Sequence, residues 1–207
     1  KINPIAKAKD EEILLNRQNL QANVYSDITF LKGLNLRSEA SMDVGKTDAY
    51  TFLPTYEYGN VSNTQNTSRW QYNKNNFWEL KNYLTYSRSF GNHNPTLMIG
   101  QEVSEWDYEY LSGASNNLPS NEVHSPSLGD NNSMTIGSGF GSGSMASFFS
   151  RANYNYDNNY YLTYTFRYDG SSNFGPENRW APFHATSLMW RVSDEPFWEE
   201  ISNIANS

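Results

Sequence analysis

Several groups of side chains in this 207-residue chain are of the types that do chemistry. Carboxylates sit close together at Glu102 and Glu105, and again at Glu195, Glu199 and Glu200. Glycoside hydrolysis needs two carboxyl groups flanking the scissile bond, roughly 5 to 10 Å apart, one of them with a raised pKa. Glu199 and Glu200 follow Phe197-Trp198 in what reads as a short turn, and enzymatic use is not expected. The histidines, His93, His124 and His184, are far apart, and each lacks a partner at metal-ligand spacing. With no cysteine there is no disulfide, thiolate ligand or thiol nucleophile. Asp169-Gly170-Ser171-Ser172 resembles the start of a cation loop but lacks the alternating oxygen ligands and closing Glu of an EF-hand. It reads instead as a strand end, with Gly170 supplying positive φ and the serine hydroxyls bonding the turn backbone. Gly137 to Ser144 contains no Lys for a phosphate and no Gly-x-Ser-x-Gly elbow, so it reads as a flexible external loop. The expectation is a non-enzyme with no catalytic residue, metal or cofactor.

What remains is binding, and composition limits the ligand. The net charge of −7 argues against nucleic acid, whose capture rests on Lys and Arg neutralising phosphates. Aromatics make up 15% of the chain and charged residues only 18%, below the roughly 25% usual in soluble proteins, while asparagine is abundant. Trp70, Tyr72, Trp106 and Tyr108, with Tyr110, are candidate substrate-facing aromatics that can stack on sugar rings. No apolar run reaches the 18 or so residues of a transmembrane helix, and Lys1-Ile2-Asn3-Pro4 does not open a signal peptide. A membrane β-barrel remains open, because its strands are about 9 to 11 residues long and alternate in polarity.

The elements that position these residues read mostly as strands. Helical spacing is confined to Ala6–Leu15 and Pro196–Ile204. Elsewhere the period is two. Leu20, Ala22, Val24, Ser26, Ile28 and Phe30 oppose Gln21, Asn23, Tyr25, Asp27 and Thr29. After the turn pair Lys32-Gly33, Leu34, Leu36, Ala40, Met42 and Val44 oppose Asn35, Arg37, Glu39, Ser41 and Asp43. A second hairpin, Asn76 to Ser89 and Thr96 to Glu105, turns at Gly91 to Pro95, and sets Leu80, Leu84, Ile99 and Val103 against Glu79, Lys81, Tyr83 and Glu102. A third, turning at Asp157 to Asn159, sets Phe148, Ala152, Tyr154, Leu162, Tyr164 and Phe166 against Ser147, Arg151, Asn153, Thr163, Arg167 and Asp169. A seventh strand, Phe183 to Val192, is the least regular. Arg167 and Asp169 share a parity, which predicts an ion pair.

Short links alternate with long ones: Gly45 to Asn75, Trp106 to Ser144 and Gly170 to Trp180 are long. An up-and-down meander then places every short turn at one rim and every long loop at the other, as in outer-membrane barrels. Aromatics near the strand ends, such as Tyr154, Tyr156, Tyr160 and Trp190 on one side and Trp70, Trp78 and Trp106 on the other, fit interfacial girdles. A soluble secreted carbohydrate-binding β-sandwich is the alternative; it also explains the tryptophans and asparagine-rich loops, but gives no reason for sorted loops.

The stretch from Asn153 to Trp198 narrows the choice. It holds Tyr154-Asn155-Tyr156, then Tyr160-Tyr161-Leu162-Thr163, then the run from Phe166-Arg167-Tyr168-Asp169-Gly170 through Ser171-Ser172-Asn173-Phe174-Gly175. Arg179-Trp180-Ala181-Pro182-Phe183, Trp190-Arg191-Val192-Ser193 and Glu195-Pro196-Phe197 follow in order. These elements resemble the barrel of the SusC/RagA-like TonB-linked outer-membrane transporters of Bacteroidetes. On that resemblance Arg167, Asp169, Gly170, Ser171, Ser172, Phe174, Gly175 and Trp180 are structural motif residues of a strand and its loop. It implies an all-β antiparallel meander of about seven strands, with residues 1–207 forming part of a large transmembrane barrel of the 22-stranded, plugged class. It also implies a Gram-negative outer-membrane location and a role in nutrient import. The implied partners are the rest of the barrel and its plug, a SusD-like surface lipoprotein, TonB acting through an N-terminal part not seen in these residues, outer-membrane lipid, and an oligosaccharide or peptide substrate.

Overall fold

The computed structural model describes residues 10–198. In chain order the strands are β1 (Glu12–Leu31), β2 (Leu34–Leu53), β3 (Tyr56–Tyr58), β4 (Val61–Asn63), β5 (Thr67–Ser87), β6 (His93–Asn116), β7 (Thr135–Tyr156), β8 (Tyr160–Ser171) and β9 (Trp180–Trp190). Seven of them form one sheet in the order β1-β2-β5-β6-β7-β8-β9, and β3 and β4 make a small antiparallel hairpin within the first long connection. The meander expected from the alternation is therefore present. Every strand of the large sheet lies beside its predecessor in that sheet, as short connections favour.

The strands outrun the alternation that predicted them. β5 and β6 are 21 and 24 residues long. Polar on/off alternation shows only where one face is apolar; beyond that, Lys74, Asn75, Asp107 and Glu109 continue the ladder with both faces wet. The long links shrink accordingly to residues 54–66, 117–134 and 172–179. Residues 137–144, expected as a flexible loop, lie inside β7. The helix expected over 6–15 is replaced from Glu12 onward by β1, while residues 6–9 lie outside the described residues. Ile13-Leu14-Leu15 satisfies either period, and pairing with β2 decides for strand. Pro196–Trp198 are helical, and the remainder of that expected helix lies outside the described residues.

The short turns rest on left-handed backbone. Gly33 has φ 89°, and Asp157 and Asn158 have φ 54° and 58°, the paired positive values of a type I′ hairpin. The Asn158 N–H donates to Asn155 Oδ1 at 2.9 Å, and this explains the asparagine there. Gly170 departs from expectation: it is extended, paired with Ala146 and Trp180 inside the sheet, and its φ is not positive.

The chain divides into two compact units. The first contains the chain up to Ala22 with Met42–Phe77 and Trp106–Ser142; the second contains Asn23–Ser41, Trp78–Glu105 and the chain from Gly143 on. Among the described residues only Phe52 and Leu118 are fully buried hydrophobic side chains, and both belong to the first unit. In the second unit Val24, Ile99 and Leu188 remain 71%, 60% and 78% exposed on the face that a second sheet would cover in a sandwich. No second sheet covers that face among the described residues, so the sandwich alternative fails.

Candidate functional site

In the second unit, cross-strand contacts show which side chains share the polar face. Asn23 donates to Ser41 Oγ at 2.7 Å and Arg37 Nη1 lies 3.2 Å from Asp27. Arg37 also pairs with Glu39, which accepts from the Tyr83 hydroxyl at 3.4 Å. Lys81 bridges Glu79 at 3.1 Å and Glu102 at 3.2 Å. Arg167 pairs with Asp169 at 3.2 Å, as their shared parity predicted, and reaches Glu102 at 4.0 Å. Its guanidinium lies 5.4 Å from the Phe149 ring centroid, above which Gly100 leaves room for the ring. The result is a belt of five carboxylates and three cations across β1 to β8. These groups are partly exposed, so each pair is worth about 1 kcal/mol or less. The belt keeps the face hydrophilic while leaving few charges uncompensated.

Glu102 and Glu105 stand three apart in one strand and therefore on opposite faces. Glu102 belongs to the belt, whereas Glu105 lines a recess with Trp78 and Trp180. They cannot flank one sugar. Glu199 and Glu200 lie outside the described residues. Glu195, in the turn after β9, accepts from the Tyr160 hydroxyl at 2.6 Å and the Trp190 indole N–H at 3.0 Å. These two bonds, Tyr160 first, hold its carboxyl below the usual carboxylate range. A lowered native pKa contributes stability above the unfolded pKa, and this is lost as pH falls through the native value. Trp190 fluorescence is therefore expected to titrate with a midpoint below that of an ordinary glutamate, and Glu195→Gln should flatten the curve.

The histidines each pair locally: His93 Nδ1 with the Tyr154 hydroxyl at 2.5 Å, His184 Nδ1 with the Tyr164 hydroxyl at 2.7 Å, and His124 stacked on Phe52 at 4.1 Å.

The motif residues around β8 form a packing unit. Trp180 stacks on Tyr168 at 5.1 Å and lies over Gly170, where a Cβ would come 2.6 Å from the indole. Gly170 is thus required by close approach of a ring rather than by backbone handedness. Ser171 Oγ accepts from the Asn173 N–H at 3.3 Å within the turn, whereas Ser172 Oγ accepts from the Ser144 N–H of β7 at 2.8 Å and ties the turn to the neighbouring strand. Phe174 is 60% exposed and Gly175 caps the short 3-10 turn Pro176–Asn178.

In the first unit the candidate aromatics divide between the two faces. Gln21, Asp43, Gly45 and Asn75 share one face, fixed by the Gln21–Asp43 hydrogen bond and by Asn75 lying over Gly45. Lys74 pairs with Glu109 and Asn76 with Asp107 on the other. Trp106, Tyr108 and Tyr110, alternating with Asp107 and Glu109, therefore lie on the face of Gln21 and Asn75. Trp70 and Tyr72 lie on the face of Lys74. There they line a cavity of about 610 Å³ with Leu14, Tyr50, Leu111 and Pro126.

The glycine run has its purpose on the first of these faces. A Cβ on Gly139 would lie 2.5 Å from Tyr110 Cε1 and one on Gly141 would lie 2.6 Å from Tyr108 Cε1. The tyrosine rings therefore occupy the space above the bare β7 backbone, and Trp106 stacks parallel to Tyr108 at 6.1 Å. Sequence reading found Trp106 and Tyr108 but not their support, because glycine in a strand reads as a break. Gly141→Val is expected to lift the Tyr108 ring and cost about 1 to 3 kcal/mol, the usual penalty of overpacking, measurable by denaturant unfolding of the full-length protein.

Comparison with known proteins finds relatives of this sheet. No family model matches the chain. It is 30% identical over 216 residues to the TonB-dependent receptor P3 of Formosa agariphila, covering 98% of the chain and 20% of that protein. It is 26% identical over 207 residues to the TonB-dependent receptor SusC of Bacteroides thetaiotaomicron, covering 99% of the chain and again 20% of the relative. Among solved structures, the RagAB peptide transporter superposes with a TM-score of 0.81 at 25% identity, over 92% of this chain and 21% of that one. The chain thus spans about a fifth of the length of the proteins it matches. Over nearly its whole length the chain is thus similar to SusC/RagA-like TonB-dependent receptors, and its seven-stranded antiparallel meander matches a stretch of their barrels.

Proposed function

We propose that the full-length protein imports an oligomeric nutrient, an oligosaccharide or a peptide, across the outer membrane, and that this chain supplies wall, lining and outer loops. The observation that carries the reading is the pair of rings, Tyr110 and Tyr108, held over Gly139 and Gly141 on one face, with Trp106 stacked parallel to Tyr108. Rings supported in this way lose little conformational freedom on binding a solute, and sugar rings or peptide planes both stack on aromatic faces. The net-acidic, internally paired belt on the polar face gives a passing neutral solute hydrogen-bond partners without an isolated charge to hold it. Capture at the mouth by a SusD-like lipoprotein and release by TonB acting through a plug complete the cycle in this proposal. RagAB is named as a peptide transporter, which supports keeping peptide beside glycan.

The test uses full-length protein carrying Tyr108→Ala and Tyr110→Ala together, with binding and growth measured across a panel of oligosaccharides and peptides. Loss of two stacking contacts is expected to cost about 1 to 2 kcal/mol, roughly a five- to thirtyfold loss of affinity for one of the two classes. Unchanged binding and growth on every solute that the parent protein takes up would overturn the reading.

A further inference from the structure

The cavity of the first unit lies on the face turned away from Trp106, Tyr108 and Tyr110, and the import reading does not use it. Cross-strand contacts set its rows. Asn75 lying over Gly45 places Tyr50 beside Trp70, Asp48 beside Tyr72 and Lys46 beside Lys74. Gln21 bonded to Asp43 places Asn16 beside Asp48. Lys74 paired with Glu109 places Trp70 beside Gly113. The Tyr50 and Trp70 rings meet edge to face at 6.0 Å, and Pro126 of the long loop stands at the edge of the same space of about 610 Å³. That volume suits a small molecule.

The next row along the strands, away from the long loops, is charged. Lys46 pairs with Asp48 at 3.2 Å and lies 5.4 Å from the Tyr72 ring centroid, and Lys74 pairs with Glu109 at 3.9 Å. One row further, Asn76 donates to Asp107 at 2.8 Å, with Leu20 and Val44 in line. Two residues of strand span about 7 Å, so the aromatic rows begin about that far past Lys46 and Lys74. Two ligands are thereby excluded. Charged rows stand between the cavity and Leu20 and Val44, so an acyl chain does not reach it from hydrocarbon. Both lysines at its edge already face carboxylates, which leaves the edge neutral and unsuited to a phosphate. What the lining does offer is ring faces and a few hydrogen-bonding groups. The Asp48 carboxylate accepts; the Asn16 carboxamide, which bonds no other group among the described residues, both donates and accepts. A neutral pyranose ring matches this chemistry, with C–H faces for Trp70 and Tyr72 and a rim of hydroxyls for Asp48 and Asn16.

We infer that this cavity holds a neutral sugar from the headgroup of an outer-leaflet glycolipid. Its face is opposite the one proposed to line the solute path, so a solute in transit does not pass it, whereas the surrounding leaflet does. The depth agrees. Charges on the lipid side of a barrel are costly within the hydrocarbon and tolerated at its border, so Lys46, Lys74, Asp107 and Glu109 mark that border. A saccharide headgroup begins there and extends toward the long loops, where Trp70, Tyr72 and Pro126 stand.

The inference rests on the outer-membrane reading, and the experiment separates the two. Full-length protein is extracted from outer membranes in mild detergent, and the lipopolysaccharide that stays bound after washing is measured through its 3-hydroxy fatty acids. Trp70→Ala combined with Tyr72→Ala removes the ring faces. Gly113→Phe fills the cavity instead; nothing lies within 4 Å of its added Cβ, so the strand accommodates it. Phe140→Ala, on the same face and outside the lining, is the control. Both cavity variants are expected to retain at least tenfold less lipopolysaccharide than the parent, and Phe140→Ala the parental amount, with heat-modifiable migration intact in all. A parent that retains none, or equal retention across the four proteins, overturns the site. Release of the bound lipopolysaccharide by a soluble oligosaccharide that the cells take up overturns the glycolipid and gives the cavity to the nutrient. Absence of the parent protein from the outer-membrane fraction overturns the import reading instead.

Discussion

Asn66→Ala is expected to release the loop formed by residues 117–134. Asn66 is 3% exposed, and its side chain closes three bonds to that loop's backbone. Its Oδ1 accepts from the Leu118 N–H at 2.6 Å, and its Nδ2 donates to the carbonyls of Leu118 at 3.2 Å and Ser120 at 3.3 Å. Its own carbonyl accepts from the Asn117 N–H at 3.0 Å, which helps hold Asn117 at φ 55°. Alanine strands the two buried Leu118 groups and releases the half-buried Ser120 carbonyl at once. Each such loss costs about 1 to 3 kcal/mol, and with water entering the vacated space the total should be about 3 to 5 kcal/mol of local stability. Leu118 is one of the two buried hydrophobic side chains among the described residues, so its packing goes with the bonds. Amide exchange of the Leu118 N–H in the full-length protein should accelerate by about a hundredfold or more, since about 1.4 kcal/mol is tenfold. Asn66→Asp keeps the acceptor and loses the donors, and should fall between. Unchanged protection in Asn66→Ala would show that the loop is held by something else.

Gly33→Ala is the second large effect. At φ 89° an L-residue is strained by about 1 to 2 kcal/mol. In addition a Cβ there would fall onto the carbonyl oxygen of Ser87, which is backbone and cannot swing aside. The same Ser87 donates its N–H to the Gly33 carbonyl at 2.8 Å, so moving it also loosens the β2–β5 ladder. Strain and overlap together should cost about 3 to 4 kcal/mol. Gly91→Ala is the control: its φ is 57° and nothing lies within 4 Å of the added carbon, so only the strain remains. The folded fraction of full-length protein, read from heat-modifiable migration, should drop clearly for Gly33→Ala and slightly for Gly91→Ala. Equal losses would mean that the Ser87 contact does not matter.

Much of the architecture was legible because period two is a strong signal where one face is apolar. Leu34 and Leu36 against Asn35 and Arg37 fix both strand and register. Lys32-Gly33 and Asp157 to Asn159 name their turns by residue type. The same signal failed where polar and apolar residues share a face, at Asp48 to Leu53 and Trp70 to Asn75, and where glycine stands in a strand for the sake of a neighbouring ring. Gly139 and Gly141 looked like a loop because their reason, Tyr110 and Tyr108, lies on another strand. Gly170 was recognised as necessary for a reason that proved wrong: Trp180 covers it, and its φ is ordinary.

The sequence by itself determined that the chain is a meander of alternating strands with turns sorted to opposite rims, and that its β8 motif resembles one receptor family. These follow from local chemistry: apolar spacing, turn residues and ordered motifs act over a few positions. Which aromatics share a face, and that Glu102 joins Lys81 and Arg167 while Glu105 does not, emerge only in the folded sheet. The reason is register. A strand's sequence sets the parity of each side chain, but the side chain's lateral neighbours are set by how far each strand is shifted against the next, and that shift is settled by turns, glycine contacts and ladder bonds acting together.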